Sequence, residues 1–260
     1  MQLIDSHCHL DRLDLTALGG DLEHVFAQAR ELDVTQMLCV AINLDLWPDM
    51  MAIVERHDHV YASVGVHPNE HQGEDPSVAR LVELAAHPKV VAIGETGLDY
   101  FRSEGDLEWQ RERFRRHIQA ARQTGMPLII HSREAQPDTL DILTEEGGGQ
   151  VRGIMHCFVD DWQTAQRAME LGFVISFSGI VTFRNAEALK EVARRCPLDQ
   201  MLVETDSPYL TPMPYRGKSN QPGYTRYVAE HIAELKGISV EEVAAATTEN
   251  FYRLFPECRS

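Results

Sequence analysis

Short apolar runs alternate along the chain with longer stretches in which apolar residues recur at helical spacing. We count eight such runs, most of them rich in Val, Ile and Leu. They are "QLID" near the start, "MLCVAI" (37–42), "VYASVGV" (60–66), "VVAIGE" (90–95), "PLIIHS" (127–132), "GIMHCF" (153–158), "FVISFS" (173–178) and "MLVETD" (201–206). Runs that are apolar at successive positions suit strands of a parallel sheet that is buried on both faces.

The stretches between these runs have the pattern of amphipathic helices. One helix is predicted over 106–124, where apolar residues lie near helical spacing and Gly125 can end the helix. A second is predicted over 160–171, with Asp160 as its N-cap. A third, over 240–250, is opened by a Ser-x-x-Glu capping box.

Strand and helix alternate eight times over roughly 250 residues, which predicts a closed (β/α)8 barrel, the TIM barrel. We expect residues 1–260 to form this single domain. A doubly wound open sheet is the alternative, but the first β–α turn lacks a glycine-rich phosphate loop. The barrel also makes a functional prediction, because active-site residues of this fold lie at the carboxyl ends of the strands.

The chain is acidic, with a formal net charge of −16 over 260 residues. That charge argues against a broad basic surface for nucleic acid, but it leaves open an enzyme that meets phosphate through bound cations. Five scattered cysteines do not suggest a disulfide framework. No apolar run has the length of a membrane span, and no signal peptide is evident at the start. We therefore expect a cytoplasmic protein.

Residues able to bind a metal stand at the ends of most predicted strands. They are His7 and His9 (first strand), His67 (third), Glu95 (fourth), His131 (fifth), His156 (sixth) and Asp206 (eighth). A single histidine after an apolar run is more often a hydrogen-bonded core or surface residue than a ligand. The combination, with each residue at a predicted strand end, favours a metal site.

Six of these residues exceed the four ligands that one zinc ion usually takes, and they suit two metal ions bridged by a carboxylate. The predicted ligands are His7, His9 and Asp206 for one metal, His131 and His156 for the other, and Glu95 as the bridge. Imidazole and carboxylate together accommodate Zn, Mn, Co, Ni or Mg, so the donor set does not choose among them.

Seven motifs in order, from residue 4 to about residue 252, resemble one known family. They are "DSHCHLD", "GVHP", "AIGETGLDY", "PLIIHSR", "HCF", "SFSG" and "VETDSPYL", followed by the ending "TTENFYRLF". The chain resembles the TatD-type metal-dependent deoxyribonucleases of the amidohydrolase superfamily. The resemblance implies a TIM barrel that hydrolyses DNA phosphodiester bonds with two divalent ions, Mg or Mn with Zn also possible. Its ligands correspond to the same six residues.

Two stretches refine the resemblance. The family's "RGKxNxP" stretch appears as "RGKSNQP", which contains Arg216, Lys218 and Asn220. Phe251 follows Asn250 where the family usually has Ala, and we expect this change to affect packing rather than chemistry. Glu95 stands where many amidohydrolases have a modified lysine, which favours the phosphoesterase branch.

The expected reaction is attack on phosphorus by a metal-activated water, most simply as an exonuclease acting as a monomer on single strands or ends. Asp206 and Glu95 are the predicted catalytic residues, with Asp206 as proton acceptor. Glu204 either orients its neighbours or forms a buried charge pair. The predicted substrate contacts are His67, Arg133, Arg216, Lys218 and Asn220.

Two other functions fit parts of the sequence. The first is hydrolysis of a small amide, ester or lactone by the same fold and metals; the two cations of "RGKSN" suit phosphate better. The second is a metal-binding interaction module without turnover. A purely structural metal site would be closed rather than placed at the mouth of a barrel.

Overall fold

A computed structural model of the chain describes residues 1–147 and 149–259. Within these residues eight parallel strands form one sheet, in the order in which they occur along the chain, and helices alternate with them. The architecture is a nearly closed TIM barrel, so the predicted fold class is confirmed. Every residue of the first and fourth strands is buried, as expected for strands covered on both faces.

The strands follow the eight apolar runs. They are β1 (Leu3–Cys8), β2 (Val34–Cys39), β3 (Val60–Val64), β4 (Val90–Asp99), β5 (Leu128–Arg133), β6 (Gly153–Met155), β7 (Phe173–Phe177) and β8 (Met201–Val203). The helices are α1 (Leu22–Glu31), α2 (Trp47–Val54), α3 (Val78–Ala85), α4 (Glu108–Thr124), α5 (Gln136–Gly147), α6 (Trp162–Glu170), α7 (Glu187–Arg195), α8 (Thr225–Lys236) and α9 (Val240–Leu254).

The predicted helices are present, with shifted ends. Helix α4 ends as predicted at Gly125, which adopts a left-handed conformation with φ 73°. The predicted N-cap of α6 was wrong by one residue, because Asp161 rather than Asp160 accepts the bond from the backbone of Thr164 at 2.8 Å. The capping box of α9 is confirmed, and the helix continues beyond 250 to Leu254.

The strand ends also differ from the prediction. Strand β8 stops at Val203, three residues before Asp206, and β4 continues past Glu95 to Asp99. Strand β2 begins at Val34 and ends before the last three residues of its predicted run. The reason is physical: apolar side chains continue into the buried loops beyond the strands, so hydrophobicity alone does not mark where strand pairing stops.

The chain divides into two compact units. The first comprises Met1–Cys39, Cys157–Ala165 and the described residues of Ile175–Ser260. Here β1 bonds directly to the segment after β8: the backbone N–H of Asp206 donates to the carbonyl of His7, and that of His9 donates to the carbonyl of Ser207, each at 2.9 Å. These bonds place the end of β1 beside the segment that follows β8.

The second unit comprises Val40–His156, as far as it is described, and Gln166–Val174. It contains β3 to β6 and helices α2 to α5. Strands β4 and β5 pair along their length, up to Asp99 opposite Arg133. That one domain spans 1–260 stays a prediction.

Three further expectations concern disulfide bonds, membrane-spanning helices and the packing of Phe251. Within the described ranges 1–147 and 149–259, the five cysteines form no disulfide. Among residues 1–147 and 149–259, no helix has both the length and the apolar character needed to cross a membrane. Phe251, which replaces the family's Ala, is buried with its ring 4.8 Å from that of Phe255.

Candidate metal centre

The six predicted ligands lie in two clusters, one within each compact unit. The first cluster consists of His7, His9 and Asp206. The Nε2 atoms of the two histidines are 3.3 Å apart. Asp206 Oδ1 lies 3.6 Å from Nε2 of His7 and 3.3 Å from Nε2 of His9. Three groups able to bind one metal ion therefore point at one another, although only His7 lies within a strand.

The local backbone explains why Asp206 reaches this position. Its φ is 54°, in the left-handed region that a residue with a side chain rarely adopts. Bonds on both sides hold it there, because its N–H donates to the carbonyl of His7 and its carbonyl accepts from the N–H of Tyr209. Backbone strain of this kind persists only where the surroundings fix it, and it is frequent at functional sites.

The second cluster consists of His67, Glu95, His131 and His156. Glu95 Oε1 lies 3.5 Å from Nε2 of His67, 3.1 Å from Nδ1 of His131 and 3.0 Å from Nε2 of His156. Three imidazole nitrogens thus converge on one carboxylate oxygen. His67, Glu95 and His131 offer ligand atoms that all lie within 4.8 Å of one another.

Electrostatics keep Glu95 charged. Burial opposes its ionisation, but the attraction of the His156 imidazole and hydrogen bonds from His131 and His156 outweigh burial, so the pKa of Glu95 lies well below its usual value. Burial also lowers the pKa of His67 to about 3, against the attraction of Glu95. At neutral pH the cluster therefore presents a carboxylate and a neutral His67, which is the state in which imidazole and carboxylate bind metals.

The Nε2 of His131 faces a carboxylate that the sequence analysis did not single out. Asp99 Oδ2 lies 3.0 Å from that nitrogen and also accepts a bond from the side-chain amide of Asn69 at 2.8 Å. Burial opposes the ionisation of Asp99, but the bonds from His131, Arg102 and Asn69 lower its pKa. An imidazole that donates one N–H to a carboxylate keeps its other nitrogen available for a metal. Asp99 therefore fixes the orientation of His131.

His117 is a second residue that the sequence did not mark for the site. It lies in α4, fully buried, and its Nε2 accepts a bond from the backbone N–H of Val66 at 3.1 Å. Its Nδ1 lies 2.8 Å from the carbonyl of Arg113. His117 thereby anchors the turn in which His67 follows Val66.

Gly97 allows β4 and β5 to approach each other beside His131. Its φ is 128°, and a Cβ added there would lie 2.0 Å from the carbonyl oxygen of His131. No side chain fits this position without moving the strand that carries His131. Gly97, the second glycine of "GETGLD", is therefore required by the backbone geometry.

Two buried carboxylates support the first unit. Asp5 Oδ1 accepts bonds from the backbone N–H groups of Thr205 and His7, at 2.9 and 3.3 Å. Burial raises the pKa of Asp5 well above its usual range, although the bonds from Thr205 oppose this. Glu204 accepts from the N–H of Cys157 at 2.9 Å and from the hydroxyl of Ser176 at 2.5 Å. These bonds favour the orienting role for Glu204, since Cys157 directly follows His156.

The predicted substrate contacts differ in accessibility. Arg216 and Lys218 are exposed in the segment that follows β8, and Arg133 is half-buried at the end of β5. Asn220 is fully buried, and its amide donates to the carbonyls of Thr205 and Tyr209. These amide bonds hold the loop together, and a contact between Asn220 and the substrate stays a prediction.

The residues present fit divalent metal ions. Imidazole nitrogens and carboxylate oxygens are a donor set that zinc, manganese and related metals accept. In each cluster these nitrogen and oxygen atoms face one another. The lowered pKa of Glu95 also keeps its side chain in the ionised form that binds metal. Groups that would otherwise repel or desolvate one another are stabilised when a cation lies between them.

Comparisons with known proteins agree with this chemistry. The sequence model of the family described as TatD related DNase matches residues 4–256. The chain is 51% identical to an Escherichia coli protein named "Uncharacterized metal-dependent hydrolase YcfH", over 98% of this chain and 96% of that protein. It is 35% identical to a mouse protein named "Putative deoxyribonuclease TATDN3", over 99% and 90% of the two chains.

A solved structure shows the same fold. The TatD homologue YJJV from Escherichia coli superposes with a TM-score of 0.90 and 30% sequence identity, covering 98% of each chain. The family resemblance inferred from the motifs is thereby confirmed. The match over residues 4–256, together with 51% identity to a metal-dependent hydrolase, shows that the chain belongs to the TatD family of metal-dependent hydrolases.

Proposed function

We propose that the protein is a deoxyribonuclease that hydrolyses phosphodiester bonds, acting on single-stranded DNA or on DNA ends with two divalent metal ions. The observation that carries the proposal is the convergence of three imidazole nitrogens on Glu95 Oε1, in a chain that belongs to the TatD family. A carboxylate surrounded in this way suits a ligand shared between metals.

In this proposal the ligands keep the assignment made from the sequence. His7, His9 and Asp206 would hold one metal, His131 and His156 would hold the other, and Glu95 would help to hold both. The argument is that all these residues lie at or just beyond the carboxyl half of their strands, where a TIM barrel carries its active site. When bound by these residues, divalent ions would lower the pKa of a bound water, so that a nucleophile would be available near neutral pH.

Asp206 is the proposed proton acceptor. Its side chain is 14% exposed, so it borders both the buried histidines and the solvent from which substrate enters. The left-handed backbone at Asp206 holds the carboxylate close to His9, a proposed ligand, and this proximity supports the role of Asp206 as the proton acceptor. Glu95, held ionised by its neighbours, stays a ligand and does not take the proton.

His67 is proposed to donate a hydrogen bond to phosphate. Its Nδ1 accepts a bond from the backbone N–H of Asn69 at 3.0 Å, so in the neutral ring the proton sits on Nε2. This Nε2 atom lies 3.5 Å from Glu95 Oε1, so its N–H points towards the other residues of the second cluster. A neutral donor is useful beside two cations because it binds a phosphoryl oxygen without adding charge.

Three cations supply the remaining phosphate contacts in this proposal. Arg133 ends the strand that carries His131, and Arg216 and Lys218 follow β8, the strand that precedes Asp206. On a chain of net charge −16, attraction for DNA has to be local to such groups. We therefore expect DNA binding to weaken with salt, but with a small slope, because few phosphates are contacted.

A time course on 5′-labelled single-stranded DNA tests the proposal. The protein is stripped of metal with a chelator, and Mg, Mn or Zn is then added back in separate reactions. We expect no cleavage without metal and progressive shortening from one end with metal; the Asp206→Asn variant, treated identically, controls for a contaminating nuclease. Absence of DNA cleavage with every metal, in a protein that binds metal and hydrolyses a small ester or amide, would overturn the proposal.

A further inference from the structure

The exposed apolar side chains of this protein are not scattered. In the part of the chain that the structure describes, all the large exposed ones except Met1 lie in segments that follow the carboxyl end of a strand. They are Leu46 after β2, Phe101 after β4, Val159 after β6, and Tyr209 and Met213 after β8. In each unit, this is also the end of the strands at which the candidate ligands lie.

Phe101 is the most exposed of these residues, at 55%. It lies in the turn directly after β4, and the turn is fixed to the second cluster by a single carboxylate. Asp99 Oδ1 accepts a bond from the backbone N–H of Arg102 at 2.9 Å, while Asp99 Oδ2 lies 3.0 Å from Nε2 of His131. The ring is thus held in a defined position relative to a candidate metal ligand, although no apolar packing buries it.

Arg133 lies over the ring. Its guanidinium carbon is 3.9 Å from the ring centroid of Phe101, and the residue ends β5 two positions after His131. Among residues 1–147 and 149–259, no carboxylate forms an ion pair with this guanidinium. Its N–H donors are therefore available to an anionic ligand.

A second cation–ring pair in the same unit provides a comparison, because its cation is bonded to backbone carbonyls. Lys89 lies 4.9 Å from the ring centroid of Tyr61, near the amino ends of β3 and β4. Its ammonium donates to the carbonyls of His57, Asp58 and Val60. That cation is saturated by backbone acceptors and its ring is half-buried, whereas Arg133 and Phe101 present both their charge and their ring surface.

We propose that Phe101 stacks against an unpaired nucleobase of the substrate, on the nucleotide whose phosphate Arg133 binds. The inference rests on the proposed function and names the way in which that site selects its substrate. Aromatic rings combined with cations are how proteins hold single strands without reading sequence, because every base has a π-face. A base paired within a duplex cannot reach the ring, so the pair selects single strands and frayed ends.

The first unit contains a comparable ring. Tyr209 is 48% exposed, and its ring centroid lies 6.2 Å from that of His9 in the first cluster. Its backbone is fixed by bonds to Asp206 and Asn220. An exposed aromatic side chain held beside a candidate ligand therefore occurs in each of the two units.

The test uses two labelled oligonucleotides of equal length, one with ordinary bases and one built entirely of abasic deoxyribose phosphates. For Phe101→Leu, we expect kcat/KM on the ordinary strand to fall by about 5- to 100-fold and kcat/KM on the abasic strand to stay unchanged. Phe101→Trp should retain activity on the ordinary strand. Tyr61→Leu is the matched control and should leave both values unchanged.

Binding provides a second readout that does not depend on turnover. Anisotropy of a fluorescent single strand with the metal-free protein should give a Kd that Phe101→Leu raises and Phe101→Trp does not. Equal loss on both strands would assign Phe101 a merely structural role, and wild-type values for Phe101→Leu would overturn the inference. If wild-type protein binds the strand through Phe101 but does not cleave it when Mg, Mn or Zn is restored, the proposed nuclease function fails while the stacking inference stands. If it neither binds the strand nor cleaves it with any of these metals, both fail.

Discussion

The Asp5 carboxylate and Thr205 are joined by two hydrogen bonds. Asp5 Oδ2 accepts from the Thr205 hydroxyl at 2.5 Å, and Oδ1 accepts from the Thr205 backbone N–H at 2.9 Å. Asp5 lies two residues before His7, and Thr205 directly precedes Asp206, so this pair ties together the two chain segments that carry the first cluster. Side chains far apart in sequence are held in register at the site by one buried carboxyl group.

Replacing Thr205 by Val should therefore weaken both the fold and the site. The change removes the hydroxyl that bonds to Asp5 and the acceptor of the Ser207 N–H, and buried polar groups left without partners cost about 1–3 kcal/mol. Urea unfolding of the metal-free protein measures this loss. Thr248→Val, which removes only a surface hydroxyl bonded to the carbonyl of Gln2, is the control and should change the free energy of unfolding by less than about 0.5 kcal/mol.

His7→Ala should abolish hydrolysis with little loss of fold. His7 is a candidate ligand rather than part of the apolar core, and losing a ligand should cost more metal affinity than the roughly 10- to 100-fold typical of a supporting residue. Metal content after dialysis and the rate of DNA cleavage measure the effect, with His24→Ala in α1 as a control. Survival of activity in His7→Ala would show that the ligand assignment is wrong.

Asp99→Asn tests whether Asp99 supports metal binding by orienting His131. The substitution keeps the shape of the side chain but removes the charge that faces Nε2 of His131, so we expect metal affinity to fall by about 10- to 100-fold. The readout is the affinity measured by metal titration of the stripped protein. Asp138→Asn removes a carboxylate that is bonded to Tyr100 and Arg111 instead, and it should leave metal affinity unchanged.

His117 should make stability depend on pH. Burial lowers its pKa in the folded protein to about 4, whereas the unfolded chain has the ordinary value of about 6.5. Between these values the unfolded state binds the extra proton, so the free energy of unfolding should fall as pH decreases from about 6.5 to 4, by up to about 3 kcal/mol.

His67 also has a lowered pKa, so the wild-type profile alone does not isolate His117. The measurement is therefore the difference in unfolding free energy between wild-type and His117→Gln, both with chelator, from pH 7 to pH 4.5. The advantage of the wild type should shrink as the pH falls. A difference that stays constant with pH would contradict the neutral, buried assignment.

Local sequence was sufficient to select His7, His131 and His156, because each of them ends or follows an apolar run and a TIM barrel carries its site at the carboxyl ends of the strands. That these residues bind metal stays a prediction. Glu95 was selected in the same way, although it lies within β4 rather than at its end.

The sequence patterns did not select Asp99 and His117, because the roles of these two residues depend on tertiary contacts. Asp99 meets His131 32 residues away, and His117 meets Val66 51 residues away. A helix histidine and an acidic residue before an aromatic have no distinctive pattern of their own. Asn220 shows the opposite case: its motif suggests a substrate contact, whereas its burial and its bonds to the carbonyls of Thr205 and Tyr209 show that it supports a loop. Motifs identify which residues recur, and only packing shows which way each side chain is turned.

The most direct test of the account is the initial rate of single-stranded DNA cleavage as metal is titrated into stripped protein of known concentration. We expect the rate to rise until two equivalents of Mn per chain are bound, and Glu95→Gln to stay inactive across the titration. An initial rate that reaches its maximum with one equivalent of Mn per chain would contradict the two-metal site. Cleavage that is independent of metal, or absent when two equivalents are bound, would contradict the proposal that this is a metal-dependent deoxyribonuclease.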